Sequence, residues 1–160
     1  MVRDTGVDGV VVGRGCQGRP WLFGDLQAAF EGRADRIQPG LAEVGEAFYR
    51  HAQLLIEYFE DEGKALRDIR KHVAWYFKGY AVGGELRARL AQVVTLEELR
   101  TLLDTLDADA PYPGQDAEGP RGRAGSPKRP ALPDRWLESR TMDRAQTRDI
   151  AAAELDVSGG

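Results

Sequence analysis

The sequence predicts a mainly helical chain. A small helical bundle is preceded by the last strand and phosphate loop of an incomplete TIM (β/α)8 barrel and followed by a disordered C-terminal tail. Three observations lead there. A β-branched run, Val10-Val11-Val12, enters the glycine-rich stretch GRGCQG at residues 13–18. From residue 41 to residue 107 apolar side chains recur every three or four positions, the period of a helix face. Beyond Asp107 that period stops, and six of the eight prolines fall between Pro111 and Pro133. The implied boundaries are 1–37 for the barrel end, 38–108 for the helical domain and 109–160 for the tail.

Taken in order, residues 6–12 read as a strand covered on both faces, because the valines are continuous and do not alternate. Pro20 suits the first turn of a helix through Trp21, Leu26 and Phe30 that Gly32 closes. Leu41, Val44, Phe48, Ala52, Leu55 and Phe59 form one apolar stripe, ended by Asp61-Glu62-Gly63. A second bundle helix is expected from Lys64 to about Gly79, and a third from Gly83-Gly84 with Leu86, Leu90 and Val93 inward. Thr95 and Glu98 have the spacing of a capping box before Leu99, Leu102, Leu103 and Leu106. In the tail, the segment around Trp136 is a candidate local docking spot and 145–155 a weak helix.

Composition excludes several classes. A net charge of −4 argues against coating nucleic acid or membrane through overall charge, though a local basic patch remains compatible with it. One cysteine, Cys16, forms no internal disulfide, and no His or Cys pair has metal-site spacing, so no metal is expected. No apolar run reaches the ~18 residues of a membrane helix. A reducing, cytoplasmic setting follows as the expectation.

GRGCQG has the GxGxxG form, with Gly13, Gly15 and Gly18 in place. A dinucleotide fingerprint needs a βαβ unit and a later acid, which the downstream residues do not offer. A tight turn without ligand also fits. The phosphate site at the end of an α/β barrel fits better: glycines admit the phosphate to backbone N–H groups and Arg14 supplies a cation. The strand's missing neighbours would then be the other seven barrel strands.

On a wheel of ~100° per residue, Leu66, Ile69, Val73, Tyr76 and Phe77 share a core face, while Arg67, Lys71 and Lys78 share another with Trp75 beside them and Arg70 at its rim. Residues 62–89 hold seven Lys or Arg against three acids in an otherwise acidic chain. Cations with an aromatic alongside suit a phosphate backbone with an exposed base, as in RNA recognition, and also suit a plain solvated face. His72, between the faces, reads as a hydrogen-bonded structural histidine.

Together, TGVDGVVVGRGCQGRPWLF at residues 5–23 and RKHVAWYFKGY at residues 70–80 resemble the C-terminal part of the tRNA-dihydrouridine synthases, most closely the bacterial B-type branch. The resemblance covers residues 5–107. It implies a flavoprotein oxidoreductase in which a TIM barrel holds FMN, NADPH reduces the flavin, and hydride passes to C6 of a tRNA uridine to give 5,6-dihydrouridine. A barrel-loop cysteine protonates C5. By position, Gly13 and Arg14 match the FMN-phosphate contact, with Gly15 in the same turn, while Arg70 and Lys71 belong to the motif facing tRNA. Arg67, Trp75 and Lys78 join them from the wheel. Cys16 lies inside the phosphate turn and does not match the proton donor, so no catalytic residue is assigned. Most of the barrel is missing from the resemblance. The chain is therefore expected to be a fragment or remnant, inactive alone and completed by the missing barrel portion, or else a non-catalytic tRNA-binding module or a structural helical bundle.

Overall fold

The computed structural model describes residues 2–118, 121, 141 and 143–148, and the chain divides into two units, 1–123 and 124–160. Helices are α1 (Val2–Thr5), α2 (Leu22–Phe30), α3 (Leu41–Phe59), α4 (Glu62–Ile69), α5 (Val73–Tyr76), α6 (Gly84–Leu90) and α7 (Leu96–Leu103). Short 3-10 turns occupy Arg14–Cys16, Arg70–His72 and Gly114–Ala117. Among the described residues there is no strand. The mainly helical reading holds, and the expected strand at 6–12 forms no ladder. Nor are its two faces covered: Val11 is 99 % exposed. A strand exists only through hydrogen bonds to a neighbour, and the described residues offer it none.

The core of the first unit follows the stripe on α3. Leu41, Val44, Phe48 and Ala52 are buried, and Leu55 and Phe59 pack at its edge. Helix α3 begins where the Gly40 N–H donates to the Glu43 carboxylate at 2.8 Å and the Leu41 N–H to the Ala110 carbonyl at 2.9 Å, so two of its first N–H groups are satisfied. It ends at Glu60, whose left-handed φ of 52° reverses the chain, and Asp61 then caps α4 by accepting the Lys64 N–H at 2.8 Å. Ala65, Leu66 and Ile69 of α4 lie fully buried against α3.

The single helix expected over 64–79 is three pieces, α4, the Arg70–His72 3-10 turn and α5. Its core face is as expected, with Leu66, Ile69, Val73, Tyr76 and Phe77 buried. Beyond the break, Tyr76 and Phe77 both meet the Phe48 ring edge-on, at 5.1 and 5.4 Å between centroids.

At α7 the Thr95 hydroxyl accepts the Glu98 N–H at 3.1 Å, as the capping box requires. Glu98 reaches one residue further back than expected, to the Val94 N–H at 2.9 Å. The Leu96 N–H finds Glu62 of α4 at 2.7 Å.

The assignment of 109–160 to the tail is corrected at its start. Gly114–Ala117 packs against the bundle with Ala117 buried, and the Gly79 backbone is its seat: a Cβ on Gly79, where φ is 82°, would lie 2.6 Å from the Asp116 carbonyl carbon. Composition hid this because few residues are buried and ionic contacts hold the rest. Glu118 pairs with Arg19 and Arg36, both at 2.9 Å, and accepts the Tyr112 hydroxyl. In the second unit, residues 144–148 are helical, with the Asp143 carboxylate accepting the Ala145 and Gln146 N–H groups at 2.8 Å. The Trp136 segment, residues 149–155 and the rest of the proposed tail lie outside the described residues.

Candidate nucleic-acid interface and phosphate turn

The glycine stretch divides in two. Gly13 and Gly15 face open space: a Cβ on Gly13 would meet nothing within 4 Å, and one on Gly15 only the Val12 side chain at 3.7 Å. The exposed Arg14 between them makes no ion pair among the described residues. The Cys16 thiol donates to the Gly13 carbonyl at 3.1 Å, so it closes the turn. Gly18 differs. It is buried with φ 62°, and a Cβ there would lie 2.6 Å from the Trp75 carbonyl oxygen, so this glycine exists to let two backbones meet.

That contact joins the two motifs singled out in the sequence. The open turn at 13–16 is two residues from a glycine seated on the Trp75–Tyr76 backbone of α5. Arg121, from beyond the bundle, donates to the same Trp75 carbonyl and to the Ala117 carbonyl. Buried Asp25 of α2 completes the seat, accepting the Ile37 N–H at 2.7 Å and lying 3.8 Å from Arg19. Burial alone would raise the Glu118 carboxyl, but the Tyr112 hydroxyl and the two guanidiniums outweigh it and hold it below the usual range. No sequence signal marked Arg19, Asp25, Arg36 or Glu118 as a cluster, because 93 positions separate Asp25 from Glu118.

The basic face is thinner than the count of cations suggested. Arg70 donates through Nε to the Val93 carbonyl at 2.8 Å, clamping the loop before α7. Arg87 donates to the Val82, Phe77 and Tyr80 carbonyls at 2.8, 2.6 and 2.9 Å, and burial lowers its pKa. Arg67 and Lys71 are exposed, Lys71 paired with Asp68 one turn earlier. Lys78 is half-buried in the turn after α5, off the helix the wheel assumed. Trp75 is half-buried, its ring meeting His72 edge-on at 4.9 Å.

His72 is held among rings, with His51 at 4.7 Å and Trp75 on its other side, and its Nε2 is 4.0 Å from Asp68. Burial, with His51 beside it, lowers its pKa to about 4. The expected hydrogen-bonded structural histidine is corrected in part: its Nδ1 is buried with no partner among the described residues. Those residues contain no cluster of metal-ligating side chains. None of their helices is long and apolar enough to cross a membrane.

Comparison with known proteins decides the family. The model described as "Dihydrouridine synthase (Dus)" matches residues 1–111. The chain belongs to the dihydrouridine synthase family. It is 56 % identical over 137 residues to a probable tRNA-dihydrouridine synthase of Mycobacterium leprae, covering 86 % of this chain and 35 % of that protein. A protein of the same description from Mycobacterium tuberculosis strain CDC 1551 / Oshkosh is 54 % identical over the same shares. The tRNA-dihydrouridine synthase B of Xanthomonas campestris pv. campestris is 34 % identical over 71 % of this chain and 35 % of its own length. The chain thus spans about a third of these curated relatives, 35 % of each. No solved structure gives a significant match. The resemblance drawn from the two motifs is borne out. The family model ends at residue 111, and Tyr112, Glu118 and Arg121 lie just beyond the stretch it matches and brace it.

Proposed function

We propose that this chain carries the flavin-phosphate turn and the tRNA-facing helical domain of a cytoplasmic tRNA-dihydrouridine synthase, an oxidoreductase that reduces uridine in tRNA to 5,6-dihydrouridine with FMN and NADPH. The observation that supports this best is the seating of Gly18 on the Trp75–Tyr76 backbone, which sets an open glycine turn beside the short helix α5 with its half-exposed indole, Lys71 lying in the turn before that helix and Lys78 in the turn after it.

The turn fits a phosphate. Nothing among the described residues explains Gly13 and Gly15, whose missing side chains leave the backbone approachable, and Arg14 beside them is paired with no acid among those residues. Gly13, Arg14 and Gly15 would hold the FMN phosphate through backbone N–H groups and the guanidinium. The flavin, when bound, supplies the hydride for C6 of the uracil ring, and NADPH restores it. Arg67, Lys71 and Lys78 neutralise tRNA phosphates, and Trp75 offers a stacking surface to a nucleotide out of its helix. Arg70 acts through the fold, holding the loop before α7 so that the basic face keeps its shape. Cys16 closes the turn and moves no proton. Turnover is not proposed for this chain by itself, since a cofactor gripped only at its phosphate binds weakly. The barrel portion would supply the rest of the flavin site.

Binding to transcribed, unmodified tRNA tests the reading by fluorescence anisotropy. Affinity should fall several-fold in the Arg67→Ala, Lys71→Ala double variant, with a shallower salt dependence. Unchanged affinity would remove the RNA face from the proposal. A second reading, a tRNA-binding module without catalysis, is favoured by a core built mostly from residues 41–103, and tRNA binding without flavin uptake in the presence of a barrel polypeptide would select it.

A further inference from the structure

The backbone of Trp75 is pinned twice, by Gly18 and by Arg121, but neither contact fixes the side-chain torsions that aim the indole. A run of rings reaches it from the core. Phe77 meets Phe48 at 5.4 Å, Phe48 meets Tyr76 at 5.1 Å, and the Tyr76 hydroxyl lies 3.2 Å from His51 Nδ1. His51 meets His72 edge-on at 4.7 Å and 73°, and His72 meets Trp75 at 4.9 Å and 84°. Phe48 and Phe77 are fully buried, so the inner end of this ladder is anchored, while its outer end is the half-exposed indole.

We propose that His72, backed by His51, is a positioning residue that fixes the orientation of the Trp75 ring for stacking on an RNA base. The inference rests on the RNA-face reading above and assigns His72 no contact with RNA. Two features favour ring packing over hydrogen bonding as its role. The Nδ1 atom is buried without a partner, so that nitrogen anchors nothing among the described residues. The groups facing the ring are His51 of α3, Asp68 of α4 and Lys71 of the adjoining turn, and His51 and Lys71 together with burial outweigh Asp68 in keeping it neutral. A neutral ring stacks edge-on against a second histidine without like-charge repulsion.

A double-mutant cycle on the full chain, read as tRNA affinity by anisotropy at fixed salt, tests this. Trp75→Ala should weaken binding about tenfold, the range of one base–aromatic stack. His72→Ala should weaken it several-fold in the Trp75 background and not at all in the Trp75→Ala background. His72→Phe should bring affinity back to within about twofold of wild type, since a ring suffices. Equal losses from His72→Ala in both backgrounds, or no loss where Trp75→Ala has one, would overturn the positioning role and leave the RNA face intact. If neither Trp75→Ala nor the Arg67, Lys71 double variant alters binding, the RNA face fails and the inference with it. Should His72→Ala unfold, His72→Phe against His72→Gln gives the same comparison: the ring retained, the ring lost.

Discussion

Two parts of this chain meet solvent very differently. Residues 41–103 bury Val44, Phe48, Leu66, Phe77 and Leu99 completely and cap the starts of α4 and α7 from within. Residues 6–16 carry the apolar run Val10-Val11-Val12, yet Val11 stands 99 % exposed, and Gly13 and Gly15 beyond it touch almost nothing. Apolar content is therefore a poor guide to which part holds itself together. A helix satisfies its backbone locally and needs only a face to bury, whereas a strand requires a neighbour before its side chains count. The two behaviours meet near Gly18, whose backbone rests on the Trp75–Tyr76 backbone of the bundle.

That contrast orders the expected effects of mutation. Phe48→Ala, which empties the meeting point of Tyr76 and Phe77, should cost about 4 kcal/mol in chemical denaturation, whereas Val11→Ala should leave the midpoint in place. Gly18→Ala should cost about 3 kcal/mol, combining a left-handed φ with overlap on the Trp75 carbonyl. A loss as small as that of a surface change would show that the turn does not rest on α5.

Acid should discriminate next. His72 has a folded pKa lowered to about 4 from 6.5, so across that window the unfolded chain binds the extra proton and stability falls as pH is lowered. Melting followed from pH 7 to pH 4 should show a loss of about 2 kcal/mol that the His72→Phe variant lacks. An identical slope in that variant would place the acid sensitivity elsewhere. Glu118→Gln should cost about 1 kcal/mol and speed amide exchange across 112–118, because Arg19 is left buried with a weaker partner. Smallest of all, Gly13→Ala and Gly15→Ala should change stability by less than about 0.5 kcal/mol, since nothing among the described residues crowds the added methyl group.

The sequence by itself determined the α3 stripe, the Thr95 cap, the buried face of 66–77 and the two linked motifs, because each is written at helical period or as contiguous residues that interact locally. Only tertiary structure decided which glycine serves which purpose. Gly13, Gly15 and Gly18 look alike in the pattern, and the approach of α5 makes one a backbone contact and leaves two open. The same holds for Arg70 and Arg87, which count as patch charges in a linear reading and turn inward to backbone carbonyls, Arg70 to that of Val93 and Arg87 to those of Phe77, Tyr80 and Val82. Residues 112–118 follow that rule too. Their composition suggests a tail, and their order comes from Gly79, Arg19 and Arg36, whose proximity no local pattern encodes.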